Sequence, residues 1–137
     1  MGLFERNPDV AVAVGDTLPP VEATLRWPAT LAPVDLTDAS VVFVMTERAT
    51  GILRLVGECT LVSAPDGQVR YDWQSVDTAI PGDYDAVFEV TAEDGGKMTI
   101  PNTDQKLLVR ITGDLGDRVA PVVQAQAGVA MGGASAP

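Results

Sequence analysis

The chain has 137 residues, Lys+Arg 9 against Asp+Glu 19, and a formal net charge of −10. One domain of that length buries a core without metal or disulfide staples, and a hydrophobic share of 46% excludes disorder by composition. The acidic balance speaks against nucleic acid and anionic membrane surfaces as partners, and a chain with no histidine and one cysteine has no Ser-His-Asp or Cys-His catalysis, no internal disulfide and none of the usual zinc ligand sets.

Residues 1–9 read as an N-terminal arm that ends in the Asn7-Pro8-Asp9 turn signal. Val10 to Val14 alternates large and small residues, which suits a strand packed on both faces. Gly15-Asp16 breaks it, and Leu18-Pro19-Pro20 leads into a second strand. Over Val21 to Trp27, apolar Val21, Ala23, Leu25 and Trp27 face one way and Glu22, Thr24 and Arg26 the other. Pro28 ends that strand, and Asp35 or Thr37 caps a turn in the loop that follows.

Val41 to Met45 is a short, β-branched apolar run between polar residues, which predicts a buried central strand. Glu47 to Gly51 predicts a hairpin connection. Ile52 to Val56 and Cys59 to Ser63 follow as strand pieces, with Gly57 a candidate bulge between them. Cys59 lies in an apolar-alternating run, where a small buried hydrophobe is its expected role. Ala64-Pro65-Asp66-Gly67 is a strong turn signal, since Pro presets φ and Gly accepts a positive one. Val69, Tyr71 and Trp73 then alternate inward against Arg70 and Asp72.

Ser75 to Ile80 reads as a loop or a single helical turn. Tyr84 to Thr91 predicts a strand with Tyr84, Ala86, Phe88 and Val90 on one face. Glu93-Asp94-Gly95-Gly96 is a hairpin turn, Lys97 to Ile100 returns from it, and Lys106 to Ile111 is the last strand. From Val119 the composition turns to Ala, Gly and Pro without charge, so residues 114–137 are expected to form a flexible tail. About seven to nine short strands with frequent turn signals and no amphipathic helix predict an all-β sandwich over residues 10–113, with a closed barrel as the rival. Pro81-Gly82-Asp83-Tyr84 sharpens the choice. It resembles the tyrosine corner of immunoglobulin-like (Ig-like) sandwiches, in which a tyrosine entering a strand ties its hydroxyl back to the preceding turn.

Candidates for chemistry are few. Asp114-Leu115-Gly116-Asp117 and Glu93-Asp94 are the densest acidic spots, and neither has the spacing of an EF-hand loop. Turn capping is the expectation for both. A paired-carboxylate site in a sugar cleft needs aromatic walls, and the chain has Trp 2 and Tyr 2. Trp27 and Trp73 lie on the apolar phase of their strands, where core packing or a place at the rim of the sandwich outweighs ligand stacking. No catalytic, cofactor-binding or metal-ligating residue is predicted, and the expectation is a protein that is not an enzyme. No signal peptide is read at the N-terminus, and no run approaches the roughly 20 apolar residues that span a bilayer.

From about Gly15 to Ile111 the sequence resembles the N-terminal domain of the phage baseplate upper protein family. The resemblance is carried by Gly15-Asp16-Thr17-Leu18-Pro19-Pro20, by Val34-Asp35-Leu36-Thr37-Asp38-Ala39-Ser40-Val41, by Gly67-Gln68-Val69-Arg70-Tyr71-Asp72-Trp73, and by Asp77-Thr78-Ala79-Ile80-Pro81-Gly82-Asp83-Tyr84 running on to Thr91. It implies an Ig-like antiparallel β-sandwich with extended N- and C-terminal arms. It also implies a virion structural component, made in the host cytoplasm and docked in symmetric copies on other virion proteins of a tailed phage. In that family the domain usually heads a longer protein, whereas here an Ala/Gly tail follows it. A tail or baseplate module, a capsid decoration or other head-associated protein, and a carbohydrate- or receptor-binding module therefore remain the alternatives.

Overall fold

A computed structural model describes residues 7–102 and 105–113. Nine strands carry the fold: β1 (Val10–Ala13), β2 (Val21–Thr24), β3 (Ser40–Glu47), β4 (Leu53–Glu58), β5 (Thr60–Ser63), β6 (Gln68–Tyr71), β7 (Gly82–Thr91), β8 (Lys97–Ile100) and β9 (Leu107–Thr112). Among the described residues there is no helix.

The strands form two sheets, one in the order β1-β9-β7-β3-β4 with β8 also paired to β7, the other in the order β2-β6-β5. β3 pairs along β7 from Tyr84 to Thr91, so β8 and β9 share the opposite edge of β7, one after the other. They amount to one return path along β7, taken first by β8 to Ile100 and then by β9 from Leu107. Lettered in chain order, the sheets read A-G-F-C-C′ and B-E-D, which is the arrangement of an immunoglobulin-like β-sandwich. All pairings are antiparallel except β1 with β9.

The core lies between the sheets, and the alternation in each strand decides what enters it. Val41, Phe43 and Met45 of β3 meet Tyr84, Ala86, Phe88 and Val90 of β7, and all seven are buried. From the other sheet, Val21, Leu25, Val69 and Tyr71 face them. Phe43 is the hub. Its ring stacks on Tyr71 at 5.4 Å, meets Trp73 edge-on at 5.8 Å and tilts against Phe88 at 5.2 Å. Such pairs add about 0.5–1.5 kcal/mol each to the burial of their area.

The expected strands appear with three differences. β2 ends at Thr24, not at Trp27, because pairing with β6 stops there and Leu25 takes the last inward position. Gly57 is no bulge. It sits regularly in β4 opposite Phe43, and a Cβ there would lie 2.2 Å from the Tyr71 ring, so the glycine makes room for the aromatic hub. The register shifts lie instead between Met45 and Thr46 against β4 and between Leu61 and Ser63 in β5. Of the two arms, residues 1–6 and the expected tail 114–137 lie outside the described residues, as does the Asp114 to Asp117 acidic stretch. Asp9 is tied to the sheet, with its amide donating to Leu108 O at 2.9 Å and its carboxylate accepting from Leu108 N at 2.8 Å.

Candidate functional site

The two ends of the sandwich differ in what their loops do. One end gathers the β1–β2 and β6–β7 connections and is closed by internal bonds. Tyr84 is buried, and its hydroxyl donates to Ile80 O at 2.6 Å, which is the tyrosine corner expected from Pro81-Gly82-Asp83-Tyr84. Thr78, wholly buried, donates to Asp16 O at 2.9 Å and accepts from Gly15 N through its own carbonyl at 3.0 Å. The Tyr71 hydroxyl donates to Asp77, whose carboxylate also accepts from Gln74 N at 2.8 Å. Burial, then this bond, push the Tyr71 hydroxyl above its ordinary pKa. These polar groups are consumed in fixing loops.

The opposite end presents surface. It is built from the β2–β3 segment (residues 25–39), the β5–β6 turn (residues 64–67) and the β7–β8 hairpin (residues 92–96). The turn braces the segment: Leu25 N donates to Gly67 O and Leu36 N to Ala64 O, both at 2.8 Å. Gly67 has φ 72°, and a Cβ there would lie 2.7 Å from Leu25 O, so both the turn and the close approach require glycine. The segment is further locked by a bridge between Arg26 and Pro33, by Trp27 N donating to Ala32 O and by Leu31 N donating to Trp27 O.

Between segment and hairpin lies an open cleft of about 490 Å³, within the usual size of ligand sites. Buried Val34 and Val90, with half-buried Ala39 and Met98, line its depth. Trp27, Asp35, Thr37, Asp94 and Lys97 stand around it. The carboxylates are positioned by their own turns. Asp35 Oδ1 accepts from the Thr37 hydroxyl at 2.6 Å and from Thr37 N at 3.0 Å. That hydroxyl, then that amide, hold the Asp35 carboxyl below the usual carboxylate range. Asp94 Oδ1 accepts from Gly96 N at 2.8 Å, the turn-capping role expected of Glu93-Asp94.

Of the two places expected for the indoles, core or rim, Trp27 takes the rim and is 46% exposed at the cleft mouth. The chain leaves the sheet after Leu25 and turns at Pro28, which carries the indole out of the inter-sheet layer. Trp73 is 2% exposed, as expected, and meets Phe43 and Tyr71 edge-on. The two indoles therefore do not form a shared platform. Cys59 is half-buried at the junction of β4 and β5, and burial pushes its thiol up to about 12, which suits a packing role. Among the described residues no group of three or more Cys, Asp or Glu side chains is arranged to hold a metal ion.

The free edges add a second apolar surface. β4 borders its sheet with Leu53 and Val56 exposed, and β5 borders the other with Val62 exposed. Compared with known proteins, the chain matches no family model and, at a significant level, no curated sequence.

Proposed function

We propose that this chain is a non-enzymatic structural component of a tailed-bacteriophage virion, a baseplate- or tail-associated module that docks on other virion proteins. The observation that carries the reading is where the residues of the resemblance stand. The Gly15-Asp16 piece and the Asp77-Thr78 piece meet through Thr78. The Asp35 to Thr37 piece forms the turn beside the cleft. Gly67 to Trp73 supplies the close glycine and two aromatics of the core, and the Tyr84 piece makes the corner. These residues build the frame of the sandwich and leave its surfaces to meet other proteins, which is what supports a docking role. A head-associated or capsid-decorating position fits the same frame.

The test is the protein content of purified particles of the phage that encodes the chain. The reading expects the chain in intact virions at a copy number set by the particle's symmetry. A chain confined to the soluble fraction of infected cells contradicts it. A second reading, a carbohydrate- or receptor-binding module, is favoured by one observation: an exposed indole beside carboxylates at Trp27, Asp35 and Asp94. It expects glycan-array binding that is lost in Trp27→Ala.

A further inference from the structure

We infer that the cleft between the β2–β3 segment and the β7–β8 hairpin is a protein-docking site. Its occupant is an extended segment of another protein with an apolar side chain next to Lys or Arg. The inference rests on the docking reading above and names the surface and the chemistry of its partner.

Three observations carry it. The first is a rigid, exposed apolar tip. Trp27 is 46% and Leu31 66% exposed within five residues of one another. Their loop is locked by Leu31 N on Trp27 O and by the Arg26 guanidinium donating to Leu31 O at 3.0 Å. Leu31 has φ 62°, a left-handed conformation that a bulky side chain rarely adopts. A locked loop that spends backbone strain on holding a leucine out in water points to a recognition surface. Exposed tryptophan on such a loop is the residue type most often found to dominate protein interfaces.

The second observation is the cleft's interior. Val34, Val90, Ala39 and Met98 give it an apolar depth that accepts an aliphatic or aromatic anchor, whereas a sugar would also need polar groups there to meet its hydroxyls. Methionine adds a side chain that adapts to what enters.

The third observation is charge. The two segments that frame the cleft, residues 25–39 and 92–97, carry Asp35, Asp38, Glu93 and Asp94 against Arg26 and Lys97. Asp35 and Asp94 each have one oxygen engaged in their own turn, and nothing among the described residues donates to the other. The mouth is thus anionic, with two oriented carboxylates beside an apolar depth. A cationic residue flanking an apolar anchor complements it.

The experiment is an NMR titration of the full chain, labelled with ¹⁵N. The probes are a short synthetic peptide of alternating Leu and Lys, its Leu and Glu counterpart, and a set of neutral oligosaccharides. The two indole N–H signals report separately, and buried Trp73 serves as the internal reference. The inference expects the Trp27 indole signal to move and saturate with the Leu and Lys peptide while that of Trp73 stays in place. Trp27→Ala should weaken binding by about tenfold or more. The double variant Asp35→Asn and Asp94→Asn should weaken it several-fold and flatten its dependence on salt. Equal response to the acidic peptide, response to saccharides alone, or no response to any probe overturns the inference. Trp27 lies outside the core, so its variant keeps the fold, and an unchanged Trp73 signal verifies that. Presence of the chain in virions is decided separately by particle composition, so the two readings fail independently.

Discussion

At the residue scale, small groups hold this fold in one arrangement. The Tyr84 hydroxyl closes the corner with a single bond to Ile80 O. Tyr84→Phe keeps the ring in the core and removes that bond, and should cost about 0.5–1.5 kcal/mol by urea denaturation. Gly57→Ala sets a methyl against the Tyr71 ring, which is itself held by Phe43 and Trp73. The ring has nowhere to move cheaply, and a loss of about 1–3 kcal/mol is expected in the same assay. Asp83 provides a pH-dependent case. Arg110 donates to it through Nε at 2.8 Å and Nη2 at 3.1 Å, and that bond holds the Asp83 carboxyl below the usual carboxylate range. A depressed native pKa stabilises the fold at pH above the unfolded value of about 3.9 and ceases to do so as pH falls through the native one. Between about pH 5 and pH 2 the wild type should therefore lose more stability than Asp83→Asn, measured as urea midpoints across that range.

At the element scale, the strands follow from alternation and the surface does not. β3 was legible because Val41 to Met45 is a short, β-branched apolar run between polar residues, and β7 because Tyr84, Ala86, Phe88 and Val90 stand two apart on one buried face. The corner was legible because Pro-Gly followed by Tyr names both a turn and its tie. The end of β2 was not. Alternation continues through Trp27, yet pairing stops at Thr24, and only the partner strand β6 decides that. The cleft was hidden for the same reason. Its walls come from residues about sixty positions apart, brought together by the two-sheet topology. Pro28 directly after Trp27 was the available signal that the indole leaves the sheet. At the free edges, Val56 of β4 is 57% exposed, so Val56→Lys should change stability by no more than about 0.5 kcal/mol. If this edge also docks, that variant should be incorporated poorly into particles while remaining folded.

At the scale of the whole molecule, the features point in one direction. Thr78 and Tyr84 fix the loops of one end, the other end carries Trp27 at the mouth of a cleft with an apolar depth and the carboxylates of Asp35 and Asp94 beside it, and the edges show aliphatic residues. A net charge of −10 makes copies repel one another in solution. Sedimentation at modest salt should accordingly find a monomer, with repeated copies gathering only where a partner arrays them. The most direct test of the central claim is the structure of the intact particle, by electron cryomicroscopy with its protein content read by mass spectrometry. The account predicts this sandwich in symmetric copies, with Trp27 and Leu31 buried against a neighbouring virion protein. Particles that lack the chain would contradict it.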